Sequence, residues 1–413
     1  MDTPQLTLMR ALSVKTRSRV LLIVLDGIGD LPVDGRTPLE AARTPALDEL
    51  ASGAMLGLST AVGPGITPGS GPGHLALFGY DPLVFEIGRG VLSALGIGLD
   101  LGPEDVAARG NFATLGPDGM IADRRAGRIP TALNETLVAR LRAAIPRIGD
   151  IDVSIYTESE YRFVVVFSGE GLSGEVLDAD PQVTGVPPLA ARPATDSPAA
   201  ARMASVANRF IALATEALSD ASDAYPANTV LLRGFAGLPD LPPMTDVYHL
   251  TPGTIASYPM YRGLGRLVGM DLVPVDLEGE GERLEAKVEA YRQHHAEYDF
   301  IYFHIKKTDS YGEDGNFEAK VHAIETFNGA LPALLAPEPE VVAITGDHST
   351  PVILQAHSWH PLPVLVYSRF LRPGPAARFT ERACATGGLG HVRHLDLMPL
   401  LMANALKLKK LGA

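Results

Sequence analysis

Short apolar runs recur along the chain and alternate with longer amphipathic stretches. The clearest three cover Val20–Leu25, Phe300–Ile305 and Val341–Thr345, and each stops at a glycine or a charged residue. Runs of this length followed by turn residues are typical of strands in a mainly parallel sheet. Helices are predicted in the gaps, for example from Thr44 and over about Glu282–Glu297. The pattern therefore predicts an α/β fold with helices on both sides of the sheet.

The segment from about residue 103 to residue 225 has a different character. It is looser, it contains proline-rich patches, and we recognise one isolated strand pattern in it, Phe163–Phe167. We interpret residues 105–225 as an inserted, smaller α+β domain. The core domain is then discontinuous, with residues 1–104 and 226–413 completing one sheet.

Metal-ligating side chains follow three of the predicted strands. The set comprises Asp26 after the first strand, Asp309 and Glu313 after the second, and Asp347, His348 and His357 after the third. Ligands of open parallel sheets gather at the carboxyl ends of the strands, so we expect one shared site. An aspartate after a strand is often only a turn or cap residue, and the prediction therefore depends on the whole set. Mixed carboxylate and imidazole ligands suit Mn, Zn or Mg, and enough are present for two ions.

Ser70 is the candidate nucleophile for such a site. A hydroxyl on a metal ion loses its proton near neutral pH, which a free hydroxyl does not. The neighbouring Gly69, Gly71 and Gly73 allow the backbone to bend and a phosphate group to approach closely. His74 is expected to assist the serine or to orient its loop.

The composition excludes several functional classes. The 413 residues carry 48 acidic and 35 basic side chains, a net charge of −13, which repels a nucleic-acid backbone. The single cysteine, Cys384, excludes an intramolecular disulfide and a multi-thiolate zinc site. The strongest apolar stretch near the start is far shorter than the roughly 20 residues that span a bilayer. We expect a cytoplasmic protein with neither nucleic-acid nor membrane partners, and the oligomeric state stays open between a monomer and a homo-oligomer.

Three common motifs for nucleotides and esters are missing from the sequence. No Gly-Lys pair is present, which excludes a Walker-type phosphate loop. The glycine-rich run Gly263–Gly269 is one residue too long for a dinucleotide fingerprint, and we interpret it as a helix packed through its glycines. Residues Pro68–Pro72 lack the outer glycines of a hydrolase nucleophile elbow. Ser70 therefore needs an activator other than a Ser-His-Asp triad.

A series of longer segments resembles one family, the archaeal type of 2,3-bisphosphoglycerate-independent phosphoglycerate mutase of the alkaline phosphatase superfamily. In chain order the segments are Val24–Gly27, Gly35–Ala42, Pro68–Ser70, His74–Pro82, Gly110–Thr114, Asp123–Arg128, Tyr258–Gly263, Lys307–Asp309 and Thr345–Pro351. The resemblance covers most of the chain. It implies an alkaline-phosphatase-like core with an inserted domain, and a reaction that interconverts 3-phosphoglycerate and 2-phosphoglycerate without 2,3-bisphosphoglycerate or a nucleotide.

The resemblance also implies roles for the candidate residues. Ser70 accepts the phosphoryl group as a phosphoserine; Asp26, Ser70, Asp347 and His348 hold one divalent ion; Asp309 and His357 belong to the second. Glu313 stands where the best-known members have histidine, and this more oxygen-rich site favours Mn, with Mg, Zn or Co as alternatives.

Phosphoryl transfer also requires cationic clamps and a means of keeping the glycerate from escaping. The candidates for substrate binding are Arg124, Arg125, Arg128, Arg233, Arg262 and Lys306, and Asp123 and Arg262 are the further candidates for catalysis. We expect the inserted domain to bind the glycerate and to act as a lid.

Two alternatives to the mutase remain open. Gly71, Glu313 and Ser168 depart from the pattern of the family, which leaves room for a phosphotransferase or phosphatase with another substrate, such as a homoserine-kinase-like or phosphonate-pathway enzyme. A non-catalytic, metal-binding paralogue is the other alternative. The intact serine and the four clear ligands argue against that second alternative.

Overall fold

The computed structural model describes residues 3–219, 224–276, 283–374 and 377–412. Within them the strands are β1 (Val20–Leu25), β2 (Met55–Thr60), β3 (Asp105–Leu115), β4 (Ile121–Asp123), β5 (Arg147–Ile148), β6 (Ile151–Ser159), β7 (Arg162–Ser168), β8 (Val176–Leu177), β9 (Arg192–Pro193), β10 (Thr229–Gly237), β11 (Pro252–Ile255), β12 (Asp271–Leu272), β13 (Phe300–Ile305), β14 (Val341–Thr345), β15 (Leu362–Ser368) and β16 (Gly390–Arg393).

The α-helices of the same residues are α1 (Pro4–Leu12), α2 (Pro38–Ala41), α3 (Pro45–Ser52), α4 (Ser70–Leu77), α5 (Arg89–Gly96), α6 (Thr131–Ala144), α7 (Pro198–Ser219), α8 (Met244–Val247), α9 (Pro259–Leu267), α10 (Leu284–His294), α11 (Lys307–Glu313), α12 (Phe317–Leu335), α13 (Glu381–Ala385) and α14 (Leu397–Asn404). Short 3₁₀ turns cover Ala126–Arg128, His295–Glu297 and His394–Asp396. None of these helices is long and apolar enough to cross a membrane.

The chain divides into two units, Met1–Glu86 with Asp240–Ala413, and Ile87–Pro239. The first unit is built on a sheet with the strand order β12-β11-β13-β1-β14-β15-β2-β16. Strand β1 pairs in parallel with both β13 and β14, whereas β15 is antiparallel to its two neighbours. This mostly parallel sheet confirms the α/β fold predicted from the sequence.

The three apolar runs form the centre of that sheet. Every residue of β1, β13 and β14 is buried, as expected for strands with both faces covered. One hydrophobic cluster joins these strands to α3 and α12 through side chains such as Leu47, Ile324 and Phe327. The carboxyl ends of the three strands therefore meet at one edge of the sheet, which is where the acidic residues stand.

The predicted helices agree with the structure in type and approximate position. Helix α3 begins at Pro45 with Thr44 at its N-cap position, and the helix predicted over Glu282–Glu297 corresponds to α10 and the 3₁₀ turn after it. Glu282 itself lies outside the described residues. Most of the run Gly263–Gly269 lies in α9, where a Cβ on Gly265 would overlap the side chain of Thr254.

The second unit contains an antiparallel sheet with the strand order β10-β3-β7-β6-β5, and β4 pairs with β3. Helices α6 and α7 cover one face through side chains such as Leu137 and Phe210, and α5 covers the other face through Ala94. The strand expected to be isolated at Phe163–Phe167 is instead a central strand, β7, which is paired on both sides. Its partners lack continuous apolar runs, which is why the sequence did not reveal them.

The second unit is also wider than the interval 105–225 assigned to the insertion. Helix α5 and strand β10 lie outside that interval, and both pack against β3, the first strand inside it. Residues before and after the interval 105–225 therefore complete the sheet of this unit and cover one of its faces.

Candidate functional site

Four side chains converge at the sheet edge formed by β1 and β14. The Nε2 atom of His348 lies 3.2 Å from Ser70 Oγ, 3.3 Å from Asp26 Oδ1 and 3.2 Å from Asp347 Oδ2. All four residues are buried. A metal ion bonded at about 2.0–2.1 Å to four tetrahedral ligands holds those ligands about 3.3 Å apart. The three measured separations match that spacing.

Two of these oxygens lack the partners that buried carboxylates require. Among the described residues, neither Asp26 Oδ1 nor Asp347 Oδ2 has a hydrogen-bond partner, although both atoms are shielded from solvent. An unpaired buried carboxylate oxygen is costly unless a cation binds it. The donor set of Asp26, Asp347 and His348 therefore fits a divalent metal ion.

The charge of the cluster leads to the same conclusion. Burial and the negative charge of Asp26 raise the pKa of Asp347 to about 8. Burial also opposes ionisation of Asp26, but Lys306 and His304 outweigh it and hold the pKa of Asp26 well below its usual value. One ammonium group thus stands against the carboxylates of Asp26, Asp309 and Asp347 in the described cluster, and a bound cation would favour the ionised form of Asp347.

Ser70 is the first residue of helix α4, with Gly69 at the N-cap position. The positive end of the helix dipole lies at its hydroxyl, which favours the alkoxide form. Gly73, one turn further on, packs directly against the backbone of Asp347, and a Cβ there would overlap the carbonyl oxygen of Asp347. The glycine therefore allows the serine helix to approach the metal-ligand loop closely.

A second group of donors lies beside the first. It consists of Asp309, His348 and His357, whose ligand atoms are all within 4.8 Å of one another. The Nε2 atom of His357 lies 3.6 Å from Asp309 Oδ1, and its Nδ1 atom faces the carbonyl oxygen of Pro68 at 3.1 Å. That hydrogen bond places the proton on Nδ1 and leaves Nε2 free as a ligand.

Glu313 lies at the rim of this second group. Its Oε1 atom is 3.8 Å from His357 Nε2, and its side chain is 54% exposed. Burial of its inner part and the charge of Asp309 raise the pKa of Glu313. The residue is therefore near enough to reach an ion held by Asp309 and His357, but it is not among the grouped donors.

Two histidines that were not predicted as ligands contact residues of the first donor group. His304 lies on β13, and its Nε2 atom is 3.2 Å from Asp26 Oδ2, the oxygen that faces away from His348. His74 donates from Nδ1 to the carbonyl oxygen of Ser70 at 2.8 Å. Burial lowers the pKa of each to about 4, so both are neutral near pH 7. His74 thus orients the serine loop, one of the two roles expected for it.

Lys306 contacts the carboxylates of the cluster, whereas Arg262 lines a separate cavity. The Nζ atom of Lys306 lies 3.2 Å from Asp26 Oδ2 and also binds Asp309 Oδ2, so this lysine belongs to the cluster. Arg262 is half-buried and lines a cavity of about 430 Å³ with residues such as Thr254 and Gln293. Burial lowers the pKa of Arg262.

The candidates Asp123, Arg124, Arg125 and Arg128 belong to the second unit. The Asp123 carboxylate accepts hydrogen bonds from the backbone amides of Arg125 and Gly127, at 2.8 and 2.6 Å. The following turn is strained, because the φ angle of Arg128 is 55°. Asp123 therefore shapes the turn that presents the exposed Arg125 and Arg128. Its catalytic role stays a prediction.

Arg233 and Arg124 of the second unit are both half-buried. Arg233 on β10 pairs directly across the sheet with Arg109 on β3, and the charge of Arg109 is compensated by the Glu158 carboxylate, 3.2 Å from its Nε atom. Burial, Arg109 and Arg89 lower the pKa of Arg233 to about 10. Its Nε atom is buried and has no hydrogen-bond partner in the described part of the chain. Arg124, in contrast, forms a bidentate pair with Asp180 at 2.8 and 2.6 Å.

The family model described as 2,3-bisphosphoglycerate-independent phosphoglycerate mutase matches residues 51–222. A protein of Thermus thermophilus named "Probable 2,3-bisphosphoglycerate-independent phosphoglycerate mutase" is 56% identical over 407 residues, with 98% of each chain covered. A protein of the same name from Deinococcus radiodurans is 55% identical over 409 residues, again with 98% of each chain covered.

Two solved structures are similar along almost the whole chain. A protein from Pyrococcus horikoshii has a TM-score of 0.82 and 30% identity, and the match covers 96% of this chain and 100% of that one. The cofactor-independent phosphoglycerate mutase from Thermoplasma acidophilum has a TM-score of 0.70 and 32% identity, and the match covers 94% and 100%.

Proposed function

Because this chain belongs to the family of 2,3-bisphosphoglycerate-independent phosphoglycerate mutases and is an isomerase, we propose that it interconverts 3-phosphoglycerate and 2-phosphoglycerate through a phosphoserine at Ser70. The observation that carries this proposal is the position of Ser70 Oγ, 3.2 Å from His348 Nε2 in a buried donor cluster. The substrate is a small phosphate ester, and neither 2,3-bisphosphoglycerate nor a nucleotide takes part.

The reaction consists of two phosphoryl transfers at one oxygen. Ser70 Oγ gives up its proton and forms a bond to phosphorus, while the bond from phosphorus to the 3-oxygen of the glycerate breaks and that oxygen takes up a proton. The bound glycerate then presents its 2-hydroxyl, which loses its proton as it attacks the phosphoserine, and Ser70 leaves as the oxyanion and is reprotonated. The position of Ser70 at the start of α4 stabilises its oxyanion in both steps.

We propose two divalent ions, preferably Mn, in the two donor groups. Asp26, Ser70, Asp347 and His348 would hold one ion, and Asp309 and His357 would hold the other, with Glu313 within reach of it. When bound, such ions lower the pKa of a coordinated hydroxyl and neutralise charge on the phosphoryl oxygens. The orphaned oxygens of Asp26 and Asp347 support this assignment.

Cationic side chains would bind the two ends of the substrate. Lys306 stands beside Asp26 and Asp309 and can turn its ammonium group to a phosphoryl oxygen. Arg233, which has an unpaired buried Nε, is the strongest candidate for holding an anionic group in the second unit. Arg125 and Arg128 are exposed and available, whereas Arg124 is already paired with Asp180. Arg262 could bind an anion from its cavity. We retain the proposal that the second unit binds the glycerate and acts as a lid.

Removal of the metal is the direct test of this function. Purified protein with Mn added and no 2,3-bisphosphoglycerate should convert 3-phosphoglycerate into 2-phosphoglycerate, measured by coupling to enolase. After chelation the rate should fall to background, because the serine then lacks its activator, and addition of Mn to the chelated protein should restore it. Undiminished turnover after complete chelation would contradict the metal-dependent mechanism. Failure to turn over phosphoglycerate with two ions bound would instead indicate another phosphate ester as substrate.

Glu313→Ala should reduce the number of tightly bound ions from two to one. The substitution removes an oxygen within reach of an ion at Asp309 and His357, so only the second ion should be weakened. The bound metal can be counted by elemental analysis after gel filtration. Asp314→Ala is the matched control, because it removes the same charge from an adjacent exposed residue. Two ions per chain in Glu313→Ala would mean that Glu313 is not a ligand.

A further inference from the structure

The hydroxyl of Thr350 connects the two donor groups. Thr350 is fully buried, and its Oγ1 atom lies 3.0 Å from His348 Nδ1 and 2.6 Å from Asp309 Oδ1. His348 presents its other nitrogen, Nε2, to Asp26, Asp347 and Ser70. One hydroxyl therefore contacts His348, which the two groups share, on one side and Asp309, which belongs to the second group alone, on the other.

Counting donors and acceptors fixes the direction of these bonds. The hydroxyl of Thr350 has a single proton, and it donates that proton to Asp309 Oδ1. The oxygen of Thr350 must then accept from His348 Nδ1, which has to carry the imidazole proton. A neutral His348 with its proton on Nδ1 has a free electron pair on Nε2, the atom that faces Ser70 and the two aspartates.

Without the hydroxyl, the proton would have a better position on Nε2. The carboxylate oxygens Asp26 Oδ1 and Asp347 Oδ2 lie 3.3 and 3.2 Å from Nε2, and neither has a hydrogen-bond partner among the described residues. The carboxylates that suit a metal ion would thus also attract the imidazole proton. A proton on Nε2 would block the only lone pair that His348 can offer to the first group.

We propose that Thr350 is a positioning residue that couples the two metal sites. By donating to Asp309 and accepting from His348, it holds the imidazole proton on Nδ1 and keeps Nε2 available for the first ion. This inference rests on the proposed function, because it assumes the two ions placed there. The hydrogen bond from Thr350 to Asp309 in the second site thereby sets the tautomer of a ligand in the first.

The surroundings of Thr350 hold its hydroxyl in place. Gly27 packs against it so closely that a Cβ there would lie 2.5 Å from Thr350 Oγ1 and 2.9 Å from the Asp309 Cα atom. The carbonyl oxygen of Thr350 accepts a hydrogen bond of 2.9 Å from Lys320 Nζ. The side chain thus has little room to rotate its hydroxyl away from either partner.

Titration of the metal-free protein with Mn tests the coupling. Thr350→Val keeps the shape of the side chain and removes the hydroxyl, and it should weaken binding of the first ion by about 10- to 100-fold, the usual effect of losing a residue that orients a ligand. Thr350→Ser should restore binding to within a few-fold of the wild-type value. Thr229→Val is the matched control, because it removes another buried threonine hydroxyl, bonded to Thr215 at 2.9 Å in the second unit.

The tautomer can be observed without metal or substrate. In protein with ¹⁵N-labelled histidine and no metal, NMR should show His348 protonated on Nδ1 in the wild type and in Thr350→Ser, and shifted towards Nε2 in Thr350→Val. Wild-type metal affinity in Thr350→Val, or a wild-type His348 protonated on Nε2, would overturn the proposal. If the tautomers behave as expected but the wild type binds no ions, the metal-dependent function fails, and with it the coupling of metal sites.

Discussion

Replacing Ser70 with alanine is expected to lower the rate of phosphoglycerate interconversion by on the order of 10⁴-fold or more. The substitution removes the only oxygen that we assign to receive the phosphoryl group, and loss of a covalent nucleophile has effects of this size in other enzymes. The fold should be retained, because the side chain is small and lies at the start of a helix. The coupled enolase assay measures the rate, and acid-quenched wild-type protein should yield a phosphorylated Ser70 peptide.

Ser59→Ala provides the comparison for this variant. Ser59 is a fully buried serine on β2 of the same unit, and its Oγ has no hydrogen-bond partner among the described residues. Its replacement should leave turnover unchanged. Ser70→Ala should still bind metal through Asp26, Asp347 and His348, although less tightly. Substantial activity in metal-loaded Ser70→Ala would exclude the phosphoserine route.

Replacing Lys320 with methionine is expected to lower the free energy of unfolding by about 3–5 kcal/mol. Lys320 extends from α12, is fully buried, and uses all three ammonium hydrogens: towards Asp30 Oδ2 at 2.7 Å, Gly27 O at 2.8 Å and Thr350 O at 2.9 Å. The variant would leave the Asp30 charge buried without its ion pair. Denaturant unfolding in the presence of a chelator measures the loss separately from any effect of metal.

Two further variants show whether the buried pair is responsible. Lys410→Met makes the same chemical change at an exposed position and should alter the unfolding free energy by no more than about 0.5 kcal/mol. Adding Asp30→Asn to Lys320→Met removes the unpaired charge of Asp30 and should recover part of the lost stability. A loss below about 1 kcal/mol in Lys320→Met would show that water or a shifted side chain replaces the ammonium group.

The core of the first unit could be predicted because its central strands are buried on both faces. Val20–Leu25 is apolar at every position, so its identity as a strand does not depend on register or on neighbours. In the second unit, β3 includes Arg109 and Asn111, and β6 has buried positions only at every second residue of its first half. Such strands become recognisable only when their partners are known, and the inserted sheet was accordingly missed apart from β7.

The candidate ligands could be predicted for a related reason. Asp26, Asp309 and Asp347 follow strands that are easy to recognise, and strand ends in a parallel sheet share one edge. His304 could not be assigned in the same way, because it lies within β13 and not after the end of the strand. Its contact with Asp26 Oδ2 follows from the pairing of β1 with β13, which the sequence does not specify.

Thr350 and Lys320 were missed because their roles depend on loop geometry. Nothing in the local sequence indicates that a lysine in the middle of α12 reaches two backbone carbonyl groups on separate loops. The residue type alone could have drawn attention to Lys320, because a lysine on the apolar face of a helix needs a buried partner. Arg233 was named as a candidate from the sequence, but the lack of a hydrogen-bond partner for its buried Nε among the described residues could not be predicted, because it depends on how β10 packs.

The contact between Gly73 and the backbone of Asp347 has a consequence for attempts to re-engineer this enzyme. Because two main chains touch there, the distance from nucleophile to ligand loop cannot be tuned in small steps by exchanging side chains. Any larger residue would push the whole serine helix outward. Metal preference is therefore better altered from the solvent-facing side, at Glu313, where a new side chain has open space and displaces no backbone.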